Sequence, residues 1–468
     1  MVNNSTKSIN RITIINIVST VLLHGISFFT TPVISALLGT DSYGIVSVYD
    51  TWLNVMTTVF SLQTLSTIAV ARTKFDERKQ ESYQSSILFL SICSFVFLSC
   101  VVLFLLDPIS NLLKLDKVVV FFMILNGFGT IGVSFLNIKF TYEFKANLNL
   151  IVSLIIVVLK LSVIFVLIRR IPESVNYYSY IMGSMFSSLS VGLVAIALVF
   201  FKGRKLFDKT YWKFCLSLAL PYVFHAVSTI VLSHSDKVMI QQMMNNSEAG
   251  IYSLAIGFAG IMGIIWNALN NSWVPFFYEF ARTKDRNSII NHAGQYNELY
   301  FVLSFGFLLL YPEVFRIYAS DEFISGMIYI PLFVLSYYFV FIYSLIINYE
   351  IYMQNTKVIA VFTVVSALVN IALNYILIPI WGGLGAIIAT VASRFVQLIA
   401  HHVAARYFIV KEEYPFRMLH YVPFVLILIC MCIYYALCGY SFTIIRWGMG
   451  VCLGVFELMR IIKRRAIF

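Results

Sequence analysis

Charge is what this sequence has little of. Asp, Glu, Lys and Arg make up 12% of its 468 residues, about half the roughly 25% of an ordinary soluble chain. Too little polar surface remains to clothe a water-soluble body of this size. Long polar stretches are scarce too, so no segment reads as a soluble domain and the loops hold no room for an extramembrane catalytic one. A Gly-rich phosphate loop of the Walker type is absent, which argues against direct ATP coupling. The seven cysteines (Cys93, Cys100, Cys215, Cys430, Cys432, Cys438 and Cys452) lie within or at the ends of apolar runs. They imply neither a disulfide framework nor a metal cluster, but free thiols packed as small apolar side chains.

What the chain has is apolar sequence from end to end: 60% hydrophobic and 16% aromatic residues, with a mean hydropathy of +0.86. A helix needs about 20 apolar residues to cross the hydrocarbon core. The runs predict about fourteen spans, at 12–38, 44–70, 85–106, 118–138, 148–168, 177–201, 214–233, 250–277, 299–315, 328–350, 358–378, 384–404, 421–437 and 442–459. The first is expected to serve as its own insertion signal, being too long for the core of a cleavable one. The longest loop is expected near Arg282, at about 20 residues.

The formal charge of +11 first suggests nucleic acid, and placement decides otherwise. Of the 33 basic residues, 24 fall on the side that holds the N-terminus, 7 on the other, and two, Lys160 and Arg394, inside spans. Excess Lys and Arg mark cytoplasmic loops. The bias predicts an inner-membrane protein with both termini in the cytoplasm and no nucleic-acid partner. The basic run Arg460–Arg465 is expected to meet anionic lipid headgroups.

An internal repeat is suggested at a spacing of 206 residues. Gly44-Ile45-Val46-Ser47 aligns with Gly250-Ile251-Tyr252-Ser253, and Ser61 and Thr64 meet Asn267 and Asn270. Six spans separate the copies, so they share an orientation, as in transporters built from parallel repeats. The expected fold is all-α and polytopic: two six-helix bundles in parallel pseudo-repeat, at 1–205 and 206–410, and two additional helices at 411–468.

Three motifs carry a family resemblance. The first is Asn374-x-x-Leu377-Ile378-Pro379-x-x-Gly382-x-x-Gly385-Ala386-x-x-Ala389-Thr390. The second is Asp236-Lys237-Val238-Met239-Ile240 followed by Gly250-x-Tyr252. The third is Pro32-x4-Leu37-Leu38-Gly39 leading to Tyr43-Gly44. In order, spacing and span count the chain resembles the polysaccharide or O-antigen (Wzx-like) flippases of the multidrug/oligosaccharidyl-lipid/polysaccharide exporter superfamily. The resemblance implies two bundles facing one another across a central cavity. It also implies alternating access and a cargo of undecaprenyl-pyrophosphate-linked oligosaccharide, with a polysaccharide polymerase and chain-length machinery as partners beside membrane lipids. Read from the residues alone, Pro379 and Gly382 end span 11 and turn the chain, while Gly385, Ala386 and Ala389 let span 12 pack closely.

Charged groups inside spans cost about 2.5–3.5 kcal/mol each on insertion scales and so face protein or a watery cavity. Here they are Asp50, Lys160 and Arg394, with His24 and His225 able to join them on protonation. At helical spacing, span 1 carries a stripe of Asn16, Thr20, His24, Ser27 and Thr31, and span 2 one of Ser47, Asp50, Asn54, Thr57 and Ser61. Span 7 carries His225, Thr229 and Asp236, and span 12 Thr390, Arg394, Gln397 and His401. Arg394 and Lys160 are the candidates for holding pyrophosphate or acidic sugars. Asp50, His24, Asn54, His225, Gln397 and Asn267 are candidates for the rest of a cargo cavity. The alternative is that Asp50 pairs with Lys160 or Arg394 and merely ties helices. Asp236, at the external end of span 7, reads as a cap or gate contact, and Pro379 as a motif residue. Glu313 and Glu350 read as groups at membrane edges, where solvation is easy. His401 and His402 diverge by about 100° and cannot chelate one metal together.

No cofactor is expected, and coupling to H+ or Na+ is left open. Within transport the alternatives are a peptidoglycan-precursor flippase and a cation-coupled small-molecule exporter. The latter usually has twelve spans and an acid in span 1. A membrane-embedded polysaccharide polymerase would need catalytic residues in a sizeable external loop.

Overall fold

The computed structural model of the protein describes the backbone of all residues except 1, 144, 354, 411–413 and 465–468. It describes their side chains except at 2–24, 26, 27, 77, 78, 146, 356, 357, 456–458 and 460–464. The candidate His24 and most of the span 1 stripe therefore lie outside the described side chains.

Among the described residues the chain is helical throughout, with no strand. The helices are α1 (Val2–Phe60), α2 (Ile68–Lys74), α3 (Glu77–Phe104), α4 (Leu106–Leu113), α5 (Lys117–Tyr142), α6 (Ala146–Leu167) and α7 (Tyr177–Gly203). They continue with α8 (Lys209–Met243), α9 (Asn246–Arg282), α10 (Arg286–Tyr318), α11 (Ile330–Tyr352), α12 (Thr356–Ala404), α13 (Val422–Cys438) and α14 (Thr443–Arg464). The short α2 and α4 are connectors. Two of the longest helices are each broken in two by a glycine, α1 at Gly39 (φ 71°, ψ 174°) and α12 at Gly382 (φ 56°, ψ −134°). Side chains other than hydrogen are penalised at those angles. Counting the limbs on either side of each break, the long helices follow the fourteen expected spans in order.

Nine helices among the described residues are long and apolar enough to cross a bilayer, with α12 counted once. The pair Phe28–Phe60 and Thr64–Lys74, bent by 56°, makes a tenth, and Val422–Cys438 and Thr443–Val455 are shorter apolar helices. One expectation fails. The long loop near Arg282 is instead a turn at 283–285, because α10 begins at Arg286. Asp285 caps it, accepting from Ser288 N at 3.0 Å and Ser288 Oγ at 2.7 Å. Polar sequence there extends a helix beyond the membrane rather than ending it.

The chain divides into two compact units, Met1–His234 and Ser235–Phe468, with the boundary inside α8. In the first, α7 packs against α5 and α6. A Cβ added to Gly192 would lie 2.1 Å from the Gly129 carbonyl oxygen, and one on Gly132 2.3 Å from that of Gly192. Only hydrogen fits in that seam, and the close approach gains backbone van der Waals contact that lipid cannot supply. Asn126 on α5, fully buried, donates to Tyr49 Oη on α1 at 2.9 Å and to Ser184 Oγ on α7 at 3.1 Å.

In the second unit α11 is the central helix, packed on α12 and α9. Its aromatic core includes Trp273, Tyr296, Tyr300 and Tyr338, each no more than 1% exposed. Arg446 pins α14 to α10, donating to Glu313 Oε1 at 2.5 Å and to the Leu309 carbonyl at 2.9 Å. Glu313 is thus a structural partner rather than a solvated edge group.

Candidate functional site

Each unit holds a polar centre built around charges inside its spans. In the first, Lys160 projects from α6 and Asp50 from the second limb of α1. Tyr180 of α7 lies between them. Its hydroxyl donates to Asp50 Oδ2 at 2.8 Å, and the Lys160 ammonium sits over its ring, 3.7 Å from the centroid. A desolvated cation over an aromatic face is worth on the order of 2 kcal/mol. Asp50 and Lys160 also feel each other electrostatically. Asp50 and Lys160 are thus linked through a tyrosine. Gly183 makes this approach possible, since a Cβ there would lie 2.8 Å from the Lys160 carbonyl oxygen.

In the second unit two of the sequence motifs meet. Asp236, 3% exposed, is the hub. Its Oδ1 accepts from Asn374 Nδ2 at 2.7 Å. Its Oδ2 accepts from Tyr252 Oη at 2.7 Å and Thr390 Oγ1 at 2.5 Å. Around them Asn374 donates to Asn370 Oδ1 at 3.1 Å, Asn370 to Thr390 Oγ1 at 3.2 Å, and Ser235 to Asn370 Oδ1 at 3.2 Å. Asp236 thus lies well inside α8 and holds α8, α9 and both limbs of α12 together. Buried carboxylates persist when their lone pairs are filled in this way.

Arg394 lies one turn beyond Thr390 and is only partly buried. Its Nη1 donates to Gln397 Oε1 at 3.1 Å, and Gln397 is itself 2% exposed. Tyr343, Tyr337 and Asp236 lie within its electrostatic reach. Among the described residues no carboxylate comes within ion-pair distance of it. A guanidinium has five N–H donors in a planar fork, so Gln397 fixes the plane and leaves most donors for a ligand.

Glu248, at the start of α9, secures the break in α12: it accepts from Tyr329 Oη at 2.5 Å and from Gly383 N at 3.3 Å. Pro379 is exposed three residues before Gly382, and Gly385 packs against the Leu377 carbonyl. Asn54, one turn beyond Asp50, and His225 and Asn267 are exposed. Sequence reasoning missed Tyr180, Asn126 and Asn370. Among the described residues no group of three His, Cys, Asp or Glu could hold a metal ion. The centres can brace helices and present cations to anionic groups.

Known proteins agree with this architecture. A family model described as polysaccharide biosynthesis protein matches residues 10–281. The Lsg locus putative protein 1 of Haemophilus influenzae (strain ATCC 51907 / DSM 11121 / KW20 / Rd) is 23% identical over 163 residues, 34% of this chain. The match spans 40% of that relative's length. Among solved structures, the lipid II flippase MurJ in an inward closed conformation superposes with a TM-score of 0.72 at 15% identity, over 97% of this chain and 99% of that one. A MOP superfamily transporter from Pyrococcus furiosus Vc1 (DSM3638) gives 0.51 at 14% identity, over 84% and 95%. Those two likenesses establish the fold.

Proposed function

Since the chain belongs to the polysaccharide biosynthesis protein family, we propose that it is a flippase moving polyprenyl-pyrophosphate-linked oligosaccharides across the bacterial cytoplasmic membrane. The cargo serves a surface polysaccharide such as O-antigen, capsule or exopolysaccharide, and the cycle is one of alternating access coupled to H+ or Na+. On this reading the protein is a transporter, both termini are cytoplasmic, and a polymerase with its chain-length machinery takes the product.

The observation that carries the reading is Arg394: a partly buried guanidinium in an intramembrane helix, braced by Gln397 with most of its donors unspent. Forked donors match phosphate oxygens, and a cation held inside a membrane protein marks a ligand path more often than a scaffold. Lys160 over Tyr180 offers a second, point-like cation. The fold shared with a lipid II flippase makes a peptidoglycan precursor the alternative cargo.

The test is reconstitution in liposomes with fluorescent polyprenyl-diphosphate oligosaccharide and, in parallel, lipid II. Movement of the first between leaflets supports the proposal. Movement of lipid II alone selects the alternative cargo, and sugar transfer without movement overturns both.

A further inference from the structure

One buried pair lies outside both polar centres. Glu350, in the last turn of α11, and His401, near the end of α12, are both 0% exposed. His401 Nδ1 stands 2.7 Å from Glu350 Oε2. The other two polar atoms, Glu350 Oε1 and His401 Nε2, are buried with no partner. The setting is apolar and aromatic: the rings of Tyr343 and Phe362 lie 4.8 Å and 5.4 Å from the imidazole. The sequence reading of Glu350 as an easily solvated edge group is overturned, because α12 folds over it.

Among the described residues the ionisable groups facing the pair are few. On α11 they are Tyr343, within electrostatic reach of Glu350, and Tyr349. From the connector after α12 comes Tyr414, also within reach of Glu350 and 6.5 Å from the Tyr349 ring. On α12, Arg394 acts on Tyr343, and His402 bonds Tyr414 Oη at 2.9 Å. Arg406 acts on Tyr414 and His402. From α9 the wall is Phe277 against Tyr349. Among the described residues no Lys or Arg forms an ion pair with Glu350; the ion pair recorded there is with His401.

With a neutral imidazole, the pair is a net anion enclosed in apolar surroundings. With one more proton it is neutral as a whole, whichever partner carries that proton. Desolvation penalises the enclosed anion far more heavily than the neutral pair. If the end of α11 parts from α12, water reaches Glu350 Oε1 and His401 Nε2, the anion is solvated, and the proton can leave to bulk water. Sealing and proton binding are therefore one linked equilibrium.

We propose that Glu350 and His401 form a proton-binding site whose occupancy closes the ends of α11 and α12 on one another. That this proton drives transport rests on the flippase reading; that it binds here does not.

The experiment is hydrogen exchange of the 398–405 segment in full-length protein in nanodiscs, corrected for intrinsic rates, from about pH 7 to about pH 9. Imidazole exposed to water is already neutral over most of that range. One linked proton makes the opening constant rise by up to tenfold per pH unit. The wild type is expected to show that slope, and Glu350→Gln and His401→Gln to lose it. If the single variants do not fold, the exchanged pair, Glu350→His with His401→Glu, carries the test, since it keeps both groups and must restore the slope. A flat wild type, or single variants with the wild-type slope, overturns the site. A wild-type slope lost in the variants, together with no flipping of any cargo at any pH, leaves the site standing and removes the flippase reading.

Discussion

Asp236 and Arg394 share one unit and differ in what their removal should do. Asp236→Ala strips the acceptor from Tyr252, Thr390 and Asn374 together. Each buried donor left unpaired costs about 1–3 kcal/mol, so the expected outcome is several kcal/mol of lost stability, read as an earlier unfolding midpoint in detergent. Arg394→Ala leaves only the Gln397 carbonyl oxygen without its donor. Its stability is expected within about 2 kcal/mol of wild type, while flipping falls at least tenfold. Arg394→Lys, keeping the charge without the fork, should fall between. Normal flipping by Arg394→Ala would remove that residue from the cargo path. Arg394 stood out beforehand, because a charge in an apolar run announces itself, whereas Asp236 read only as a cap or gate contact at the external end of span 7. What could not be read was partnership: Asn374 and Thr390 stand 138 and 154 residues from Asp236. Tyr180 was invisible for another reason, since a tyrosine in an apolar span looks like core until a lysine is found lying on its face.

Among the helices, the termini and breaks are set by single residues. Gly382 holds angles that a side chain tolerates poorly. Gly382→Ala is expected to cost about 1–3 kcal/mol, measurable as a lowered midpoint, and to loosen the Gly383 N contact with Glu248. At the start of α8, Asp208 accepts from Thr210 N at 2.8 Å and Tyr211 N at 3.1 Å. Lys205, at 2.5 Å, does most to hold its carboxyl below the ordinary value of 3.8, and the Tyr211 and Thr210 amides add to this against slight burial. A lowered acid stabilises the fold fully above the ordinary value and ceases to do so as pH falls through the lowered one. Amide exchange at 210 and 211, corrected for its intrinsic pH dependence, should therefore stay protected down to the ordinary Asp range and lose protection only below it. Asp208→Asn should lack that acid-side loss. The breaks at Gly39 and Gly382 were readable from Gly and Pro punctuation. The turn at 283–285 was not, because α9 and α10 continue past the apolar runs on polar residues.

For the whole chain, the bias of 24 basic residues against 7 predicts an orientation with both termini in the cytoplasm. A fluorescent protein fused after residue 468 should glow and alkaline phosphatase fused there should be inactive, with the reverse result for fusions in the 170–176 connection. The opposite pattern would invert the proposed orientation. Hydropathy revealed that the chain is polytopic because backbone polar groups in lipid must be satisfied within each helix, which makes every crossing a long apolar run. It could not reveal which helices touch, because lipid-facing and protein-facing surfaces are equally apolar. Thus α14 is pinned through Arg446, a residue that in the sequence counted only as one more external charge.

The glycine seam between α5 and α7 has a consequence for heredity. Every replacement of glycine adds at least a Cβ, and at positions 132 and 192 that atom would land within 2.3 Å of a backbone oxygen on the opposite helix. Selection has nothing conservative to choose from there. Elsewhere on the same helices, exposed positions such as Val118 and Leu193 can drift among many apolar residues. Descendants of this gene would diverge almost everywhere along α5 and α7 while keeping the seam letter for letter.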